Sequence, residues 1–356
     1  MNILVLGGTQ LTGLHLVPRL LQEGHRVTVL TRGNRRPAFL QEVEHIRADR
    51  GTDGLAAVAG RRFDAVVDNI AYEPEHIQQV VDALGEGAGH YILNSTVFVA
   101  EPLDHALRPI HEEDADLEAL PPGFPEVPHS HYVRGKRRCE LYLRRGLPFF
   151  WTVLRPASVF GETDPQHRLR WWLARVLDGG PILLPDDFPE LHGVRNNLSV
   201  YAGDVATAQL ACLGNPATRG RAYFVAGEDA PSIIELVSAL ATAVGRPAPE
   251  LVAIPRRAAN ATPLAANAAG VYRVPGLWPG VRLDVSAIRR DLGWKPTPLA
   301  EWLPAVVGAL ATEHAGDATW PAEIGYGLRP LEVRVARAWQ RLQQEAAERL
   351  RDMVTP

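Results

Sequence analysis

From the first residues to about position 95, short apolar runs alternate with segments whose apolar positions recur every three or four residues. Ile3 to Leu6 form the first run; Leu11, Leu14, Val17, Leu20 and Leu21 follow at helical spacing, and Gly24 stands where a helix C-cap belongs. Arg26 to Thr31 predicts a second strand. Ile46, Ala65 to Val67 and Tyr91 to Leu93 mark three more, with a helix over Glu73 to Leu84 between the last two. Strands of this kind alternating with helices predict an α/β fold with a parallel sheet covered on both faces.

Pro102 to His131 loses the rhythm in an acidic, proline-rich stretch that reads as a long surface loop. Helical spacing resumes over Tyr132 to Arg145, and Phe149 to Leu154 predicts a sixth strand ending at Arg155-Pro156. A basic helix with two tryptophans follows (Arg168 to Leu177), then helices around Val200 to Leu213 and Pro231 to Val244, then an Ala/Asn-rich stretch without pattern from Ala258 to Gly270. The tail carries an apolar stripe, Leu331, Val335, Ala338, Leu342, Ala346 and Leu350, suited to packing or to a homodimer. The expected organisation is a cofactor domain over residues 1–165 joined by about 195–230, a smaller substrate lobe from 166–194 and 231–330, and a separate amphipathic helix over 331–356.

Composition removes several classes. A formal charge of −4, from 37 Lys and Arg against 41 Asp and Glu, offers no general attraction to a polyanion, so no nucleic-acid partner is expected. Cys139 and Cys212 are too few for a disulfide framework, and the 12 histidines form no metal-ligand spacing, so no metal is expected. The chain shows no secretory leader and no run of about 18 apolar residues, which predicts a cytoplasmic protein without a membrane partner.

The strongest local motif is Leu6-Gly7-Gly8-Thr9-Gln10-Leu11-Thr12-Gly13, set between a predicted strand and helix. Glycine lets backbone approach a pyrophosphate, and the helix N-terminus meets its charge; Gly7, Thr9, Gln10, Leu11 and Gly13 are the expected contacts. Where NAD binding would place a carboxylate after the second strand, the chain reads Thr31-Arg32-Gly33-Asn34-Arg35-Arg36. Arg32 and Arg36 suit the 2′-phosphate of NADP, with NAD as the alternative cofactor. Asp49 is a candidate for the adenine amino group, and Ile70 for a further cofactor contact. Tyr132 and Lys136 lie i, i+4 on one helix face, where the ammonium favours phenolate and makes Tyr132 a usable acid and base. The hydroxyl pair Ser95-Thr96 ends the fifth strand.

In order and spacing these motifs resemble the extended and atypical short-chain dehydrogenase/reductases, over roughly residues 1 to 313. The family's middle glycine is Gln10 here, as in the GGTxxxG variant of the atypical branch. Its catalytic hydroxyl falls on Thr96, with Ser95 as the second candidate; Arg155-Pro156-Ala157-Ser158-Val159-Phe160-Gly161 is similar to the stretch lying against the nicotinamide, which implies contacts from Pro156 and Val159. Asp284, Ser286, Leu292-Gly293-Trp294 and Pro296 resemble its C-terminal packing element. The resemblance implies a Rossmann-type doubly wound sheet with a smaller C-terminal substrate lobe, and an NADP(H)-dependent oxidoreductase acting on the carbonyl or secondary alcohol of a hydroxylated metabolite. In it Tyr132 is the acid and base, Lys136 binds the nicotinamide ribose and Thr96 holds the substrate oxygen. Arg168, and Arg195 between Gly193 and Asn196, are candidates for the anionic part of a small-molecule substrate such as a nucleotide-linked sugar; Trp171 and Trp172 equally suit a buried helix face. An epimerase or dehydratase with recycled cofactor is the alternative, and a non-catalytic nucleotide- or RNA-binding relative a third reading that the intact Tyr132–Lys136 pair opposes.

Overall fold

The computed structural model describes residues 1–100, 109–118, 128–187, 197–228, 231–264, 281–316, 320 and 324–354. Its strands are β1 (Asn2–Leu6), β2 (Arg26–Thr31), β3 (Glu44–Arg47), β4 (Ala65–Asp68), β5 (His90–Asn94), β6 (Phe150–Pro156), β7 (Ser158–Phe160), β8 (Ile182–Pro185), β9 (Ser199–Tyr201), β10 (Arg221–Val225) and β11 (Leu251–Ile254). Its α-helices are α1 (Thr12–Gln22), α2 (Pro74–Leu84), α3 (Pro128–Leu143), α4 (Arg168–Asp178), α5 (Ala202–Cys212), α6 (Ile233–Ala243), α7 (Arg256–Asn260), α8 (Ser286–Leu292), α9 (Leu299–Gly316) and α10 (Arg329–Val354).

The chain divides into two compact units. The first takes residues 1–163, 197–228 and 281–297. Its seven strands run in the order β10-β6-β5-β4-β1-β2-β3, and every neighbouring pair is parallel. The order reverses between β1 and β4, the crevice at which doubly wound sheets bind ligands. Ile3, Leu4, Val5 and Leu6 of β1 and Ala65, Val66 and Val67 of β4 are completely buried, as strands covered on both faces must be.

Two expectations about this unit change. Residues 281–297, assigned to the substrate lobe from the motif order, belong to the first unit. Leu283 bridges to Ile110, Trp294 donates its indole N–H to the Asp204 carbonyl, and Thr297 bonds the Asp204 carboxylate through both backbone N–H and hydroxyl. The Asp284-to-Pro296 motif is therefore a clasp on α5, and Asp284 accepts the Ser286 N–H in the turn that enters α8. The described part of the acidic segment, 109–118, is also anchored: Glu112 accepts from the Phe224 N–H, and its carbonyl accepts from Arg155.

The second unit takes residues 164–196, 229–280 and 298–356. It holds α4, α6, α7, α9, α10 and the two-stranded parallel sheet β8–β11. The tail is thus part of this unit. Arg175, fully buried on α4, pairs with Glu332 of α10 at 2.9 Å; Glu332 also takes Arg329 at 2.8 Å and the Leu183 N–H. Trp171 and Trp172 are buried on α4, which decides for the packed face. Beyond residue 340 the helix is exposed, including Leu342, Leu350 and Met353. Removing one member of a buried ion pair strands the other charge in an apolar interior, at a cost of about 3–5 kcal/mol. Glu332→Ala is expected to lower unfolding free energy by that order in urea titration, while Glu348→Ala on the exposed half of α10 changes it by under about 0.5 kcal/mol.

Candidate active site

The glycine turn joins β1 to α1. Gly7 has a φ of +80°, and a Cβ added there would lie 2.4 Å from Ile70 Cγ2, so Ile70 packs directly on the turn. At Gly13 a Cβ would stand 2.5 Å from the Gly8 backbone, so helix and loop close on each other only with glycine. Thr9 and Gln10 are half-buried in the turn. Leu11, the N-cap of α1, has φ 49° and ψ −114°, an unusual conformation for a residue with a side chain. Its N–H donates to Thr163 Oγ1 at 2.8 Å, and Gln10 Nε2 donates to the Thr163 carbonyl at 3.1 Å. Pro156 ends β6 and Val159 lies in β7, which pairs with β9.

The residue pair expected to do chemistry lies on α3. Lys136 is buried and donates to the Ala71 carbonyl at 2.7 Å and the Asn94 carbonyl at 2.6 Å, so α3 is bolted across the carboxyl ends of β4 and β5. Two of its three protons are used on the backbone. The Tyr132 ring centroid is 5.8 Å from Lys136 Nζ and the Tyr72 centroid 4.8 Å, a cation between two rings. Gly135, between Tyr132 and Lys136, was not among the expected site residues, yet a Cβ there would lie 2.2 Å from the Tyr72 carbonyl oxygen. The glycine is what lets this helix face approach the loop after β4. Its signal was present in the Tyr-Val-Arg-Gly-Lys string.

Burial pushes the Lys136 ammonium down to about 8, while the nearby Cys139, Asp68 and Glu140 pull in the opposite direction. Thr96, buried just past the end of β5, accepts from the Phe98 N–H at 3.3 Å. Ser95, expected at the substrate, instead donates to Glu140 at 2.6 Å, and Glu140 is paired with Arg155 at 2.7 Å, both buried. Alternation along the chain turns these neighbours apart: Ser95 locks α3 to β5 and β6.

At the other end of the crevice, Arg32 and Arg36 are exposed after β2. A cavity of about 290 Å³ lies beside them, lined by Gly33, Arg36, Pro37, Gln41, His45 and Arg47 among others. Arg47, at the end of β3, donates to the Arg32 carbonyl at 3.1 Å. His45 bonds Thr31 Oγ1 at 2.9 Å; burial first, then Arg36 and Arg47, hold its imidazole below the usual range. Two guanidinium fields converge on this cavity, and Arg47 and His45 are additions to the expected set. Asp49 accepts from the Gly51 N–H at 2.9 Å, which shapes the turn after β3. Arg168, expected at the substrate, is paired with Asp164 at 2.8 Å, where Asp164 also accepts the Arg168 N–H at the start of α4. Arg195 lies outside the described residues.

Residues 7–171 match the family model described as NAD(P)H-binding. A 267-residue stretch, 70% of this chain, is 29% identical to the chloroplast stem-loop binding protein of 41 kDa b from Arabidopsis thaliana; the chain spans 65% of that protein's length. Among solved structures, the UDP-glucuronic acid 4-epimerase from Bacillus cereus in complex with NAD superposes with a TM-score of 0.65 at 18% identity, covering 88% of this chain and 100% of that one. The UDP-glucose-4-epimerase from Stenotrophomonas maltophila with bound NAD also gives 0.65, at 20% identity over 89% and 99% of the two chains. At such identities the likeness is one of fold.

If burial dominates at Lys136, its Cε resonance in a carbon-13 lysine NMR titration moves with a midpoint near pH 8, and Lys136→Met removes that curve. A midpoint above 10 would mean that the neighbouring carboxylates outweigh burial.

Proposed function

We propose that the chain, whose residues 7–171 match the NAD(P)H-binding family model, is an NADP(H)-dependent oxidoreductase of the extended short-chain dehydrogenase/reductase type, acting on a carbonyl or secondary alcohol of a hydroxylated small molecule. The observation that carries this reading is the buried Lys136 ammonium beside Tyr132, fixed at the carboxyl ends of β4 and β5, the first of which borders the topological switch point. The groups present fit a dinucleotide: a glycine turn with no room for Cβ, leading into the N-terminus of α1, and a cavity with two converging guanidinium groups.

A bound nicotinamide supplies or accepts the hydride. The protein's own part is proton transfer and positioning. Lys136 keeps one N–H beyond the two given to carbonyls, which serves the ribose hydroxyls, and its charge favours the Tyr132 phenolate. Tyr132 gives its proton to the developing alkoxide, or takes one in the reverse direction. Thr96 donates its hydroxyl to the same substrate oxygen, and Glu140–Arg155 holds α3 in register for both.

Arg36 and Arg47 support NADP(H) rather than a tightly held, recycled NAD, and on that ground a reductase is preferred to an epimerase or dehydratase. A nucleotide-linked sugar is a substrate class consistent with the Stenotrophomonas maltophila enzyme, whose structure holds a formylated UDP-arabinopyranose. A cytoplasmic homodimer completes the reading, supported by the buried free thiols Cys139 and Cys212 and by the exposed apolar positions of α10. The second reading, nucleic-acid binding, rests on the name of the Arabidopsis relative; a salt-dependent shift of stem-loop RNA without any NADPH turnover would favour it.

Tyr132→Phe is expected to bind NADPH as the parent does and to lose about 100-fold or more in turnover, read by nicotinamide absorbance against a panel of carbonyl substrates. Near-parental turnover removes Tyr132 from the chemistry. In titrations of cofactor fluorescence, Arg36→Gln and Arg47→Gln should each weaken NADPH by about tenfold and leave NADH unchanged, because each removes one charge-assisted phosphate contact. Equal losses for both cofactors would place those arginines elsewhere.

A further inference from the structure

We infer that Thr163 is a direct ligand of the dinucleotide's pyrophosphate, held in place by the residue that replaces the family's middle glycine. The inference rests on the cofactor reading above and adds a donor from outside the glycine motif. The N-cap N–H of a helix has no intrahelical acceptor, and in this fold it faces the phosphates. Here that N–H, of Leu11, ends on Thr163 Oγ1 at 2.8 Å. A hydroxyl that accepts one hydrogen bond still has its own proton to donate. Among the described residues, nothing accepts the Thr163 proton. It is a free O–H donor fixed to the amide that a phosphoryl oxygen would approach.

The segment is built to keep it there. Gln10 Nε2 grips the Thr163 carbonyl, and Glu162 bonds His15 of α1 at 3.1 Å. A Cβ on Gly161 would come within 3.2 Å of Leu11 Cδ1, so the loop also packs on the turn through the Leu11 side chain. Glycine at position 10 could not make the first of these contacts. Gln10 thus replaces backbone freedom with a side-chain tether that carries a hydroxyl to the site, and the turn keeps its one unusual conformation at Leu11. A bound pyrophosphate accepts from the Thr163 O–H, while the Leu11 N–H stays on Thr163 Oγ1 and aims that hydroxyl.

Thr163→Val keeps the side-chain shape and deletes the donor. It should weaken whichever dinucleotide the parent binds by about tenfold, the usual effect of losing one hydrogen bond to a charged group, as read by isothermal titration. Thr163→Ser should stay within about threefold of the parent, and Gln10→Ala should lose affinity in the same direction as Thr163→Val. Adenosine 2′-monophosphate, or adenosine if NADH is preferred, lacks the pyrophosphate and should bind parent and Thr163→Val alike. Unchanged dinucleotide affinity in Thr163→Val overturns the inference. So does tighter binding, which makes the hydroxyl a competitor of phosphate. Equal loss for the dinucleotide and the adenosine fragment, or a lowered melting temperature in Thr163→Ser, would reveal a structural role and overturn it as well. If the parent chain binds neither NADPH nor NADH, the cofactor reading itself falls, an outcome distinct from failure of the Thr163 variant.

Discussion

The site depends on one buried cation. Lys136 has left water, and an ammonium does so only when its protons find acceptors and its charge finds compensation. Both are visible. The carbonyls of Ala71 and Asn94 take two protons, and Cys139, Asp68 and Glu140 oppose the effect of burial. Those carbonyls belong to the segments leaving β4 and β5. A single side chain therefore ties the helix bearing Tyr132 to the ends of β4 and β5, and any displacement of α3 would strand a charge. The geometry that the chemistry needs is enforced by the cost of leaving it.

The same carboxyl edge carries two buried ion pairs, Arg50 with Asp68 at 2.8 Å and Arg155 with Glu140 at 2.7 Å. Buried pairs give modest net stability, because desolvation offsets most of the Coulomb attraction. Their effect is on precision. Asp68 takes both contacts from Arg50, the Tyr91 hydroxyl at 2.9 Å and the Ile70 N–H at 2.9 Å. That last bond fixes the turn that presents Ile70 to Gly7 and the Ala71 carbonyl to Lys136. Asp68 is thus the carboxylate through which the glycine turn and the helix bearing Tyr132 are both held.

The sheet was legible because strands buried on both faces read as unbroken apolar runs, as at Ile3 to Leu6. The glycine turn and the Tyr132–Lys136 pair were legible because each is local: its placement follows from a fixed spacing along the chain. What escaped is long-range. Ser95 and Glu140 are 45 positions apart and Arg175 and Glu332 are 157 apart, so neither pairing leaves a periodic trace. An arginine before a tryptophan pair looked like a ligand clamp, but Arg168 caps its own helix through Asp164, and both rings are buried. Arg47 went unnoticed for the opposite reason. It ends an edge strand, where an exposed cation is ordinary, and only the packing of β3 beside the loop after β2 brings it to Arg36.

Gln10 shows why a departure from a motif can be read only with the fold in hand. Along the chain it is a missing glycine, and glycine's role in such turns is conformational. In the fold a positive φ falls on Leu11, whose amide and side chain both meet the Gly161-to-Thr163 segment, about 150 residues away. Local freedom has been exchanged for a tertiary contact. That exchange has a consequence: the turn leans on contacts from the segment after β7, so its geometry is a property of the folded unit and not of the motif. Residues from two distant stretches thus build one turn, and neither stretch sets its geometry alone.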